Sequence, residues 1–227
     1  MQVGIDKIGL FTPNKYVDMV DLAHARNQDP NKFLIGIGQS EMSVADQTQD
    51  AVSMGINATM KYIDRIDKDK VGLLVLGTES GIDQSKSASL FVKTALKLKP
   101  EVRTFEVKEA CFGLTAAVMI ARDFVRVHPD QTAIVIGSDI ARYGVNTGGE
   151  VTQGAGSVSM FKLRQNPKDP FAFEMMGIVH IVKILMISGV PMLLVLLWLM
   201  VKYSTQVYLD FFKKTFNDYK KRKKTRN

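Results

Sequence analysis

The chain has one cysteine, Cys111, and three histidines in 227 residues. A lone thiol excludes an intramolecular disulfide, and with no Cys/His cluster the sequence offers no set of three or four zinc ligands. Doing without disulfides fits a reducing compartment. The first residues, MQVGIDKIGLF, lack the basic start, apolar stretch and small-residue cleavage site of a secretory signal, and they read as a first strand. Most of the chain also lacks net charge. The formal +7 arises from residues 202–227, where nine Lys or Arg face only Asp210 and Asp218. The basic balance therefore belongs to the tail and gives no ground for reading residues 1–201 as a nucleic-acid binder.

Apolar residues make up 46% of the chain, enough to bury a substantial core. From residue 1 to about residue 165, short apolar or β-branched runs alternate with amphipathic stretches, the pattern of α/β layering around a sheet. Strands are predicted near 2–10, 71–77, 102–107, 132–138 and 156–163. Helices are predicted over 46–63, 84–98 and 111–127, the last stopped by His128-Pro129. Between the last two strands lies SDIARYGVNTGGEVTQGAG (138–156), a long glycine-bearing connection of the kind that carries function.

The character changes after Phe173. Residues 184–201, ILMISGVPMLLVLLWLMV, are eighteen in a row without a charge, which enters the length range of a membrane-spanning helix. Gly189 and Pro191 interrupt the run. On hydropathy alone it reads as a single anchor or as a buried core helix.

Cys111 follows the predicted strand VRTFEV and the turn KEA, and it opens a predicted helix. A helix N-terminus presents unpaired N–H groups and partial positive charge, which favour a thiolate competent toward thioesters. From position alone, a small buried apolar cysteine accounts for it equally well. Glu79 lies near the end of VGLLVLGTES (71–80), at the carboxyl end of a strand, where open α/β sheets build their sites. By position alone a solvated loop glutamate is the simpler reading. Glu106 and Glu109 are equally visible as acids or bases beside Cys111. His24, His128 and His180 form no recognisable triad with it, so Cys-His protease chemistry has little support.

Five separated stretches then carry a resemblance: NKFLIGIGQSEMSV (31–44), GTES (77–80), KEACFG (108–113), SDIARYG (138–144) and TGGEVTQGAG (147–156). In order and interval they resemble motifs of bacterial-type hydroxymethylglutaryl-CoA synthases, over residues 1 to about 172. The resemblance implies the N-terminal half of a thiolase-like layered α/β fold, a cytoplasmic homodimer and a place in the mevalonate pathway of isoprenoid biosynthesis. It implies CoA thioesters as substrates, with no separate cofactor, metal or nucleic acid. By resemblance, Cys111 takes an acetyl group from acetyl-CoA, and Glu79 serves as acid/base while the acetyl unit condenses with acetoacetyl-CoA. Asp29, Tyr143 and Thr152 fall on matching motifs near the acyl-CoA or its bound intermediate. Ketoacyl synthases and thiolases share the fold and the elbow cysteine but use histidines or a second cysteine where this chain has Glu79 in GTES.

The resemblance breaks after Phe173 and resumes at YSTQVYLDFFKKTFNDYKKR from Tyr203. A lost and regained register suggests two compensating shifts of reading frame. Joining the last nucleotide of each codon to the first two of the next forces Asp at Met175-Met176, Gly at Met176-Gly177, Asp at Met186-Ile187 and Gly at Met200-Val201. With synonymous choices free elsewhere, 173–191 can spell N-D-G-x-S-A-H-S-E-D-I-N-D-F-W-R-P and 197–202 M-V-D-G-K, the text the family has there. The expected organisation is thus a thiolase-like domain over 1–172, an out-of-frame apolar helical segment over 173–202, and the start of the family's C-terminal region over 203–227, truncated. Such a chain lacks the family's later catalytic histidine and is expected not to complete the condensation. The alternative is a single-pass membrane protein anchored through 178–201, whose α/β head binds an acyl thioester without turnover.

Overall fold

The computed structural model describes residues 3–164 and, further on, 209, 210, 212–214, 216, 217 and 220. The elements of the first part run β1 (Gly4–Phe11), β2 (Lys15–Asp18), α1 (Met19–Ala25), α2 (Asn31–Leu34), β3 (Glu41–Val44), α3 (Ala51–Met60), β4 (Val71–Gly77), α4 (Ala88–Ala95), β5 (Arg103–Val107), α5 (Gly113–Val127), β6 (Thr132–Ala141) and β7 (Gly154–Arg164).

A strand that is apolar at consecutive positions has to be covered on both faces, and β4, VGLLVLG, is the middle of the parallel part of the sheet. It pairs in parallel with β5 on one side and β6 on the other; β7 and β1 continue antiparallel beyond β6, giving the order β1-β7-β6-β4-β5. Because side chains alternate along a strand, Leu74 and Leu76 join Val52 of α3 and Val92 of α4 in one core cluster. Leu73 and Val75 join Ala117, Ala121 and Val125 of α5 in the other. The small residues of α5 let it lie close on the sheet. This is the mixed α/β layering that the sequence indicates.

The five predicted strands are all present, and the differences lie in the helices, where α3 (51–60) and α4 (88–95) are shorter at both ends than the predicted 46–63 and 84–98 and α5 starts two residues later than predicted. Asp50 caps α3: its carboxylate accepts the Ser53 N–H at 2.7 Å while Ser53 Oγ accepts the Asp50 N–H at 2.9 Å. That reciprocal box starts the helix at residue 51 rather than 46. Ser87 caps α4 by a single bond, its hydroxyl accepting the Ser89 N–H at 3.3 Å, and just past α4 Lys97 takes a positive φ of 54°. The small sheet β2–β3 and the short helices α1 and α2 carry too few residues for a period to show. Together they enclose a third cluster of Met19, Leu22, Ala23, Phe33 and Met42, against which Val151 packs.

Among the described residues, no helix is long and apolar enough to cross a membrane. The run 184–201 and the reading-frame expectation over 173–202 lie outside the described residues. Near the C-terminus, Phe212, Phe216 and Lys220 stand one turn apart on a helix, with ring centroids 6.1 Å apart and the ammonium 4.5 Å above the Phe216 ring.

Candidate active site

Two parallel crossovers bring the carboxyl ends of β4, β5 and β6 to one edge. There Cys111 sits in a tight 3-10 turn, Ala110–Phe112, just ahead of α5 rather than as its first residue. The turn is made by Ala110, held at φ 42°, and it is closed by the Phe112 N–H donating to the Glu109 carbonyl at 2.9 Å. The thiol is exposed, not buried in the core, and it borders a cavity of about 350 Å³ with Leu114, Gly137 and Ser157. A left-handed backbone costs a non-glycine residue roughly 1–2 kcal/mol. Ala110→Gly is therefore expected to stabilise the fold by about 1 kcal/mol, read as a higher thermal midpoint.

The approach of α5 to β4 depends on Gly77. A Cβ there would stand 2.5 Å from the Gly113 carbonyl carbon and 2.6 Å from the Leu114 nitrogen. With hydrogen in its place, the first turn of α5 rests directly on the end of β4, and the chain then runs two residues to Glu79.

Glu79 is placed by a residue to which the sequence reading assigned no role. Oδ1 of Asp139, on β6, accepts from the Glu79 N–H at 2.7 Å, Thr78 Oγ1 at 2.9 Å, Ser80 Oγ at 3.0 Å and the Ser80 N–H at 3.1 Å. One carboxylate oxygen thus gathers the whole GTES turn, since charged acceptors make the stronger hydrogen bonds. Asp139 borders both the Cys111 cavity and a second cavity of about 480 Å³, which Glu79 and Tyr143 line. The signal for it was an acidic residue at the carboxyl end of a strand, inside the quoted SDIARYG.

Tyr143 is half-exposed and its phenol is pushed above the ordinary range, by partial desolvation first and then by the negative fields of Glu79, Cys111 and Asp139. It stays a hydrogen-bond donor at neutral pH. Its main chain is held by Gln153, whose Oε1 accepts the N–H groups of Tyr143 at 2.7 Å and Gly144 at 3.1 Å. Asp29 and Thr152 are exposed and border neither cavity: Asp29 accepts the Asn31 N–H at 2.9 Å at the entry to α2, and the Thr152 hydroxyl donates to the Gly149 carbonyl at 2.9 Å.

The competing carboxylates separate on geometry. Glu106 is committed to α4, accepting the Ala88 N–H at 2.6 Å, and Glu109 borders neither cavity. His24 closes α1 and His128 lies against Phe124 with ring centroids 4.5 Å apart, while His180 lies outside the described residues. Among the described residues, no group of three or more His, Cys, Asp or Glu is placed to hold a metal.

The connection from β6 to β7 is anchored by Glu150, whose carboxyl is held below its ordinary 4.5 by the Arg26 hydrogen bond first and also by the Asn146 N–H. A carboxyl lowered in the folded state contributes stability above its unfolded value and loses it as pH falls through the lowered one. The protection of the Asn146 amide, its exchange taken relative to the intrinsic rate at each pH, is therefore expected to fall as the pH drops below 4.5 and through the lowered value, and to stay constant around neutral pH.

Residues 1–167 match the family model described as hydroxymethylglutaryl-coenzyme A synthase N terminal. The chain belongs to the hydroxymethylglutaryl-CoA synthase family. It is 48% identical over 160 residues to the hydroxymethylglutaryl-CoA synthase of Enterococcus faecalis, covering 70% of this chain and 42% of that one. With the Caenorhabditis elegans synthase it shares 36% over 162 residues, 69% of this chain and 35% of the relative. Among solved structures, MvaS in complex with 3-hydroxy-3-methylglutaryl coenzyme A matches with a TM-score of 0.69 and 40% identity, over 72% of this chain and 40% of that one. An HMG-CoA synthase complexed with CoA matches with a TM-score of 0.79 and 33% identity, over 98% and 56%. The sheet and its two helical faces are thus the thiolase-like layers of these synthases, and the chain spans less than half the length of the curated relatives named above.

Proposed function

We propose that this chain carries the acyl-transfer centre of a hydroxymethylglutaryl-CoA synthase. The Cys111 thiolate attacks the acetyl-CoA carbonyl, the C–S bond to CoA breaks, and CoA leaves as the thiol with the proton that Cys111 gave up. Glu79 then takes a proton from the methyl of the acetyl-cysteine. The enolate forms a C–C bond with the ketone of acetoacetyl-CoA, and Glu79 returns its proton to the new alkoxide. Water cleaves the Cys111 thioester and frees the product. Tyr143, protonated and lining the cavity that Glu79 lines, donates toward an acyl oxygen, and Asp29 and Thr152 hold the outer part of the CoA ester beyond the two cavities. A cytoplasmic homodimer using acetoacetyl-CoA as second substrate belongs to the same reading.

The observation that carries it is Asp139, which fixes the Glu79 turn through four hydrogen bonds and forms a wall of the cavity that Cys111 borders. The exposed thiol and the exposed Glu79 carboxylate thus border two different cavities that share Asp139. Two half-reactions test it: transfer of acetyl from acetyl-CoA to the chain, and exchange of the bound acetyl group's methyl protons with solvent. Transfer that requires Cys111 and methyl exchange that requires Glu79 support the reading; transfer indifferent to Cys111, or methyl exchange indifferent to Glu79, contradicts it.

A further inference from the structure

The stretch between Ala141 and Gly154 has no strand ladder to place it, yet it carries Tyr143 and Thr152. Glu150 is what holds it. This residue is only 5% exposed, and its Oε2 accepts the Asn146 N–H at 2.8 Å within the loop's own turn. Both of its oxygens are gripped by Arg26 from 124 residues away, Nε on Oε2 at 2.7 Å and an Nη2 on Oε1 at 2.7 Å. A bidentate guanidinium–carboxylate pair fixes orientation as well as distance. Arg26 is itself fixed as the C-cap of α1, its N–H bonded to the carbonyls of Leu22 and Ala23, and Val151 packs on the cluster that α1 and α2 enclose. Asp29 follows three residues after Arg26, and Thr152 two after Glu150.

We propose that Arg26 and Glu150 are a positioning pair for the acyl-CoA site, locking the Tyr143–Thr152 loop to the α1–α2 unit so that Asp29 on one side and Tyr143 and Thr152 on the other keep one spacing. The pair touches no reacting atom. It rests on the acyltransferase reading for what the loop grips, and on the geometry alone for what holds the loop.

The test uses the 227-residue chain as wild type, Arg26→Met and Arg26→Lys. Arg26→Met keeps the apolar stem and removes both hydrogen bonds; Arg26→Lys keeps a charge and one contact. In Arg26→Met, amide exchange at Tyr143, Gly144 and Asn146 is expected to speed up while exchange along β4 stays as in wild type. The acetyl-CoA concentration for half-maximal acetylation of Cys111 is expected to rise about tenfold, with the maximal rate within about twofold, because misplaced binding groups weaken capture before they touch chemistry. Arg26→Lys falls between, and it alone suffices if Arg26→Met does not fold. Unchanged exchange at the three loop amides overturns the clamp. Faster exchange with an unchanged half-saturating concentration overturns its role in acyl-CoA binding. A wild-type chain that is never acetylated contradicts the acyltransferase reading, and loop exchange then decides the clamp by itself.

Discussion

Cys111→Ser is expected to abolish transfer of acetyl from acetyl-CoA to the protein, lowering the rate by about 10⁴-fold or more. A serine hydroxyl at this elbow needs a base to deprotonate it, and none of the described histidines stands beside the turn: His24 ends α1 and His128 lies against Phe124. The thiol has less need of one, because it ionises far more readily than an alcohol. The residue is exposed, so removing its sulfur leaves no hole in the core and the unfolding free energy should change by under about 0.5 kcal/mol. Loss of labelling with an unchanged melting curve would therefore isolate chemistry from folding.

Glu79→Gln should give a different and separable loss. Glutamine keeps the size of the side chain and the backbone bonds of the turn to Asp139 but cannot take a proton from the acetyl methyl. Acetylation of Cys111 is expected to survive within about tenfold, whereas solvent deuterium incorporation into the bound acetyl group should fall about 10²–10⁴-fold. Asp139→Ala should reproduce the second loss and add a folding cost of about 1–2 kcal/mol, because the Glu79 N–H and the Thr78 hydroxyl lose the Asp139 acceptor while Ser80 keeps Thr78 Oγ1 and the Ile140 carbonyl. Glu106→Gln should leave exchange of the methyl protons intact, since that carboxylate serves the first turn of α4. Deuterium incorporation measured by mass spectrometry of the Cys111 peptide checks all three.

The sheet was legible because burial on both faces writes itself into composition: a run such as VGLLVLG has few other places to go. Helix starts were less so, since the polar stretch DQTQD (46–50) offers several residues that could begin α3, while the capping box that selects Asp50 is a matter of two hydrogen bonds. The roles of Cys111 and Glu79 came from resemblance; what the structure adds is their support. Asp139 was in view within SDIARYG but had no reason to be singled out until β6 laid it beside the GTES turn. Arg26 and Glu150 were out of reach of any local pattern, being paired across 124 residues by the packing of α1 against the β6–β7 connection. Gly77 likewise looks like any strand-end glycine until α5 is found resting on it.

The most direct measurement is incubation of the purified chain with acetyl-CoA labelled in the acetyl group, followed by digestion and mass mapping. An acetyl thioester on the peptide containing Cys111, labile to hydroxylamine and lost in Cys111→Ser, is the predicted result. Label that stays absent from that peptide at saturating acetyl-CoA, in a chain whose exchange pattern shows β4 and α5 folded, would contradict the assignment of this thiol as the acyl acceptor.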